Sequence, residues 1–403
     1  MRVVVNLLAA AGAKTGVGHY AVELFRCLQQ QAGPGEIHDF PHPRVLKAKR
    51  FLTHVYARAA RGGENPQGGR TSILSQLRNG AVNQLRAGAR AAIGHHFRAR
   101  CAAEKYDLYH EPNFIPLDGD VPTVATIHDL SCVLHPEWHP AARVAHFERH
   151  FRAGLDRCVH FFAISETARQ ELIRTLGLAP AQVTRTYMGV RPDLGPLPAH
   201  ETAATLSRLG LPARYLLYFG TLEPRKNVLM LMRAYCSLPS ALRERWPLVL
   251  VGGWGWRTAE IADYYHAAAR HKNVHHVGYV ADTDVAAIYN GARALVYPSL
   301  YEGFGMPPVE MLACGGAVLA STAGPLVETL AGQAHLVNAD DLDGWRSALA
   351  RVVDDDAWWQ SLRHGAIDRA RPFTWENCAA DTLTVYRRLC ATQPQSAPGS
   401  AAA

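Results

Sequence analysis

Short runs of β-branched and apolar residues alternate along this chain with longer stretches whose apolar positions recur every three to four residues. That is the pattern of buried parallel strands joined by crossover helices. In the first half, Val3-Val4-Val5 predicts an opening strand, 20–28 an amphipathic helix, and 106–109, 123–127, 160–164 and 183–188 further strands. A helical pattern covers 166–176, with Ser165 placed to cap it. The stretch 191–214 carries Pro192, Gly195, Pro196, Pro198 and Pro212 and predicts a linker. Strand runs then resume at 215–220, 247–252, 274–278, 294–298, 317–320 and 335–337, with helices between them. The layout is an α/β first domain at 1–192, a linker at 193–213 and an α/β second domain at 214–372. A closing helix at 373–390 is expected to pack back on the first domain, and the Pro/Ser/Ala tail 391–403 to be disordered. No repeat of period 20 to 50 is present.

A length of 403 residues has room for two or three ordinary domains, and 48% hydrophobic with 19% charged residues excludes a disordered or fibrous chain. No stretch reaches the roughly 20 uninterrupted apolar residues of a membrane-spanning helix. The opening residues resemble a leader only loosely, because Asn6 interrupts a short apolar core, and a first strand is expected there. The 8 cysteines form no C-x-x-C pair, which reads as reduced thiols in a cytoplasmic protein.

Charge changes this picture in one window. Of the formal net charge of +7, the segment 44–105 alone contributes +11, from 13 Arg and Lys against Glu64 and Glu104. Apolar residues including Phe51, Ile73, Leu77, Ile93 and Phe97 intersperse the cations, so basic amphipathic helices are expected. Such helices suit an anionic membrane surface, placing the protein peripherally at the inner face of the cytoplasmic membrane; a plain solvated face is the alternative. Nucleic acid is not expected, since the cations are spread out and follow no recognition motif.

The sharpest candidate chemistry is Tyr301-Glu302-Gly303-Phe304-Gly305-Met306-Pro307-Pro308-Val309-Glu310, directly after a predicted strand. Pro307 suits the first helical position, which would place Glu310 in the first turn. A helix N-terminus at 306–309 would offer free amides and a positive dipole end to phosphate, and the two carboxylates could accept sugar or ribose hydroxyls. The competing account is that both glutamates merely favour the dipole, each worth about 0.3 to 1 kcal/mol. The turn Gly220-Thr221-Leu222-Glu223-Pro224-Arg225-Lys226-Asn227 brings two cations to another strand end, where a diphosphate could be neutralised. Gly16 and Gly18 follow the first strand and are donor-binding candidates, although G-x-G alone is a weak signal. His110 and the pair His128-Asp129 also follow strands, either as satisfied polar residues or with His128 as a catalytic candidate and His110 and Asp129 as acceptor-side candidates. Asp282-Thr283-Asp284 invites a metal reading, yet helix capping accounts for it.

Together these residues resemble the family 4 retaining glycosyltransferases of the GT-B fold, over most of the chain from Met1 to Leu389. The resemblance implies two Rossmann-like domains facing each other across a cleft, with no metal and no cofactor beyond a nucleotide-sugar co-substrate. It implies that Glu302 holds the donor sugar and Glu310 the ribose, with backbone at Gly303, Phe304, Gly305 and Met306 assisting. By the same resemblance, Gly278-Tyr279-Val280 seats the base, with Val280 as its contact, and His128 lies near the reacting centre. Many members carry Arg directly after the turn's first glycine, whereas this chain has Thr221, which leaves Arg225 and Lys226 as the phosphate cations. The segments 128–140 and 223–227 look like bacterial mannosyl- or rhamnosyltransferases of polysaccharide or lipopolysaccharide assembly. That implies a GDP-sugar, mannose before rhamnose, and a glycan or polyprenyl-diphosphate-linked acceptor. UDP- or dTDP-sugars are the alternative donors. Glycoside hydrolysis by the paired glutamates and a non-catalytic nucleotide-sugar-binding protein are the alternative classes.

Overall fold

In a computed structural model, which describes residues 1–11, 16–41, 88 and 91–392, the apolar runs become two six-stranded sheets. The first contains β1 (Val3–Asn6), β2 (Ile37–Phe40), β3 (Leu108–Glu111), β4 (Thr123–Ile127), β5 (Cys158–Ala163) and β6 (Val183–Arg185), in the order β2-β1-β3-β4-β5-β6. The second contains β7 (Leu216–Phe219), β8 (Leu248–Val251), β9 (Val274–Gly278), β10 (Ala294–Tyr297), β11 (Ala317–Ser321) and β12 (His335–Val337), in the order β12-β11-β10-β7-β8-β9. The pairings of β7 with β8 and β10 are parallel, as is that of β1 with β3. Every residue of β1, β3, β4, β8, β10 and β11 is buried, so strands such as β8 and β10 read as continuous apolar runs rather than alternating ones, while β3 also buries the polar His110 and Glu111.

Contacts divide the chain into two units: Met1–Ile127, His150–Phe162 and Ala379–Ala403 in the first, His128–Arg149 and Ala163–Cys378 in the second. The closing helix, Trp375–Ala391, contributes its residues from Ala379 onward to the first unit. There Tyr386 is fully buried and its hydroxyl meets His110 Nδ1 at 2.5 Å. In the second unit, the fully buried Trp345 and Leu349 of the helix Leu342–Asp354 join one core with Leu216, Leu248 and Val296.

Four local expectations need correction. The Pro-rich stretch read as linker 193–213 contains a helix, Ala199–Arg208, because Thr202 and Leu206 lie four residues apart on one buried face. The helix read as 20–28 starts at Gly16, so Gly16 and Gly18 occupy its first turn rather than a loop. Asp282 and Asp284 do not cap the following helix through their side chains; Asp284 pairs with Arg208 at 2.5 Å and Asp282 with Arg191 at 3.6 Å. In the basic window, a helix over 91–104 has Phe97 and Cys101 in the core with Val4, Phe40 and Tyr109, so Phe97 packs on protein, not lipid. The rest of that window, 44–87 with 89 and 90, lies outside the described residues, as does the tail from 393. No helix among the described residues is long and apolar enough to cross a membrane.

Candidate active site

In the second sheet the chain leaves β7 toward β8 on one side, while β10 and β11 lie on the other. The carboxyl ends of β7 and β10 are therefore a topological switch point, where diverging loops leave room for a ligand. Both candidate motifs lie there. The turn after β7 carries Glu223, Arg225 and Lys226, and the loop after β10 carries Tyr301 and Glu302. The loops are strapped together: Leu300 N donates to the Arg225 carbonyl (2.9 Å), and Asn227 Nδ2 donates to the carbonyls of Pro298 (3.2 Å) and Ala339 (2.7 Å).

The side chains converge on Glu302, which is 6% exposed. Lys226 Nζ donates to Glu302 Oε1 (2.6 Å) and to the Tyr297 hydroxyl (2.7 Å). Arg225 donates to Glu302 Oε2 (3.2 Å), to the Tyr301 carbonyl (2.9 Å) and to Glu223 Oε1 (3.0 Å). Burial works to raise the Glu302 pKa, but Lys226 and then Arg225 outweigh it and hold the carboxyl at about 2. Lys226 is pulled down from its ordinary value by burial and by the neighbouring guanidinium, against the attraction of Glu302. The cations and the carboxylate assigned to different halves of a donor are thus partners of one another. Glu223, buried at 2% exposure, belongs to the same cluster, although the sequence singled out only its two basic neighbours.

His128 and Asp129 join this site from within the second unit. A Cβ on Gly303 would stand 1.9 Å from the His128 carbonyl oxygen, so only glycine lets the loop press against that backbone. Leu130 N donates to the Tyr301 hydroxyl (3.0 Å), which in turn donates to Glu171. Ser165 Oγ donates to the Gly303 carbonyl (2.7 Å) while also capping the helix Glu166–Leu176 through Ala168 N (3.0 Å). Asp129 accepts from the amide (2.9 Å) and hydroxyl (2.6 Å) of Ser131. Burial opposes its ionisation, but the Arg225 charge and these bonds hold its pKa below the usual range. Tyr301, adjacent to Glu302 in sequence, was the signal that could have revealed this tie.

The helix after the loop is Met306–Ala313, with Gly305 before it in the left-handed region (φ 93°) and Pro307 at its second position. A Cβ on Gly305 would also meet Leu326 Cδ2 at 2.2 Å. Glu310 consequently lies in the second turn, not the first. It is buried, accepts from the Tyr289 hydroxyl (2.8 Å), and has its pKa raised by burial against the pull of Tyr289 and Arg191. The expected cradle of amides at 306–309 is also smaller than supposed. Pro307 and Pro308 have no N–H, and Val309 N reaches the Gly305 carbonyl at 3.5 Å, which leaves Met306 as the orphan donor of that turn. Phe304 turns its ring into the core against Phe373 (5.5 Å), so only its backbone is available to a ligand. Thr221 contributes its carbonyl to the Tyr218 hydroxyl (3.0 Å), and Val280 follows β9.

His110 is not an acceptor-side group. It has no exposed surface; Nδ1 faces Tyr386 and Nε2 meets Thr126 Oγ1 at 2.8 Å, making it a core histidine of the first unit. Gly16 and Gly18 also belong to that unit. Among the described residues, no group of three or more His, Cys, Asp or Glu could hold a metal ion.

Family models match both halves of the chain: Glycosyltransferase Family 4 over 43–194 and Glycosyl transferases group 1 over 207–372. The O-antigen chain mannosyltransferase B of Escherichia coli is 33% identical over 283 residues, which is 70% of this chain and 74% of that protein. This chain belongs to the family 4 glycosyltransferases. The serotype-specific mannosyltransferase WbdA of E. coli is 29% identical over 296 residues, 71% of this chain but only 36% of that longer protein. In fold, this glycosyltransferase superimposes on sucrose-phosphate synthase from Thermosynechococcus elongatus with a TM-score of 0.68 and 20% identity, covering 98% of this chain and all of that one. The two α/β domains are those of the GT-B fold.

Proposed function

We propose that this glycosyltransferase moves mannose, with rhamnose the next choice, from a GDP-linked donor to a saccharide or polyprenyl-diphosphate-linked saccharide in surface-glycan assembly. We infer retention of configuration and no need for a metal ion. The observation that carries this reading is the buried cluster of Arg225, Lys226 and Glu302 at the switch point of the second sheet, in a chain related to O-antigen mannosyltransferases.

In this mechanism Arg225, Lys226 and the Met306 amide stabilise the charge that develops on the leaving diphosphate. Glu302, kept ionised, accepts hydroxyls of the donor sugar; Glu310 takes the ribose, and Val280 lies at the base. The bond from the sugar's anomeric carbon to the phosphate oxygen breaks as the acceptor hydroxyl attacks the same face. The departing phosphate receives the acceptor's proton. His128 acts near the reacting centre, and Asp129 stands on the acceptor side. The basic segment 44–105 would hold the enzyme on anionic lipid at the cytoplasmic face; vesicle binding indifferent to phosphatidylglycerol and to salt would refute that part.

A thermal-shift panel of GDP-, UDP- and dTDP-sugars tests the donor, since a ligand at 100 times its Kd adds about 2.7 kcal/mol of stability. GDP-mannose should give the largest shift, and transfer to a saccharide should survive EDTA and yield the same anomer as the donor. Stabilisation by UDP- or dTDP-sugars alone, an inverted product, or loss of activity in EDTA would overturn the corresponding clause.

A further inference from the structure

The segment 128–140 of the second unit, with short helical turns at Ser131–Leu134 and Pro136–Trp138, presents groups that donor chemistry leaves unused. The rings of His135 and Trp138 are stacked, with centroids 4.0 Å apart and planes 17° from parallel, and the Tyr301 ring meets His135 edge-on at 5.4 Å. Unlike the aromatic side chains of the core, all three are only part-buried. Between the stacked rings in sequence stands Glu137, with 60% of its side chain exposed and Oε1 3.3 Å from His135 Nδ1.

This surface is held in place from behind. Trp138 N donates to the His135 carbonyl (3.1 Å), and the Trp138 carbonyl accepts from Trp256 Nε1 (2.9 Å). Ser131 Oγ, engaged with Asp129, lies 3.0 Å from the Nε2 of the buried His139. A part-exposed aromatic plate with an exposed carboxylate beside it, one oxygen of which meets His135, has the chemistry of a saccharide subsite. The C–H face of a pyranose packs on the rings while the carboxylate accepts its hydroxyls. Tyr301 fixes the distance to the reaction, since its own carbonyl takes Arg225 and the next residue is Glu302.

We propose that His135, Glu137 and Trp138, with Tyr301 alongside, bind a neutral hexopyranose unit of the acceptor. This rests on the transferase reading above. A neutral sugar is favoured over the donor's nucleotide half because Glu137 and Glu171 would repel its diphosphate.

The test uses saturation-transfer NMR and titration with an α-linked mannotriose and methyl α-L-rhamnopyranoside on the full chain, together with calorimetry of GDP. Saturation transfer to one of these saccharides is expected, with its Kd raised at least tenfold in Trp138→Ala and at least threefold in Glu137→Gln, while the Kd for GDP stays within twofold. Should Trp138→Ala not fold, Glu137→Gln and His135→Ala, both changes at part-exposed or exposed side chains, decide the matter. Equal saccharide binding by variant and parent, no saturation transfer in the parent, or a loss confined to GDP would overturn the proposal; the last result would assign the plate to the base. Saccharide binding that depends on Trp138, in a chain that neither binds nor turns over any nucleotide sugar, would support the subsite and sink the transferase reading instead.

Discussion

Replacing Glu302 by Gln keeps the shape of the side chain and removes the charge that Lys226 and Arg225 share. Holding this carboxyl at about 2 instead of its ordinary 4.5 corresponds to about 3 kcal/mol of stability, because each pKa unit is worth roughly 1.4 kcal/mol. The independent expectation for breaking a buried ion pair from one side is about 3 to 5 kcal/mol. With roughly 2 to 4 °C lost per kcal/mol in a domain of this size, Tm should fall by about 6 to 12 °C at pH 7. The pH dependence is specific. A depressed carboxyl contributes fully above its unfolded pKa and loses its contribution as pH falls toward the folded value. The gap between parent and Glu302→Gln should therefore be constant above pH 4.5 and roughly 1 kcal/mol smaller at pH 3.5. Adding Lys226→Met to Glu302→Gln should restore part of the loss, since the orphaned cation is then gone. Denaturant melts at the two pH values measure all of this. A gap below 1 kcal/mol at pH 7, or one that does not narrow at pH 3.5, would refute the pairing.

Other substitutions separate structural from functional roles. His110→Phe removes one buried hydrogen-bond partner from each of the Tyr386 and Thr126 hydroxyls, Thr126 keeping its contact with the Tyr20 hydroxyl (3.1 Å), and should cost about 1 to 3 kcal/mol in chemical denaturation, while donor hydrolysis stays within twofold of the parent. Gly303→Ala places a methyl 1.9 Å from the His128 carbonyl oxygen, so the loop must shift; stability should drop by more than about 2 kcal/mol and transfer by more than tenfold. Glu310→Gln still accepts from Tyr289. Because the raised pKa of Glu310 means its ionisation opposes folding as pH rises, this variant should melt at the same temperature as the parent or higher at pH 8, yet bind GDP at least tenfold more weakly by calorimetry.

Much of the fold was legible because many strands are short and buried, as β4, β8, β10 and β11 are; the ranges 123–127, 274–278 and 335–337 coincide with β4, β9 and β12, although β9 and β12 are only partly buried. The strand β2 was not read, since Ile37-His38-Asp39-Phe40 buries only its two ends and lacks the apolar run. Prolines misled at 193–213, where Pro198 precedes the helix instead of forbidding it. In the basic window the positions of the cations were visible, but the burial of Phe97 depends on distant Val4 and Tyr109, which no local pattern reports.

At the site, the sequence showed which residues carry charge but not which of them neutralise one another. Three buried or part-buried carboxylates, those of Asp129, Glu223 and Glu302, act on the two cations Arg225 and Lys226. A lone Arg-Lys pair on a turn would be a standing phosphate trap, attractive to any anion. Paired as they are, the cations are already satisfied, and a diphosphate must displace carboxylate contacts to gain theirs. Only a ligand that also compensates Glu302 can do so without leaving a buried charge unmatched. A sugar whose hydroxyls meet that carboxylate while its diphosphate meets the cations satisfies both sides at once, whereas free phosphate satisfies one. On the function proposed above, the pairing that hides the cations would favour an intact sugar nucleotide over its anionic half alone.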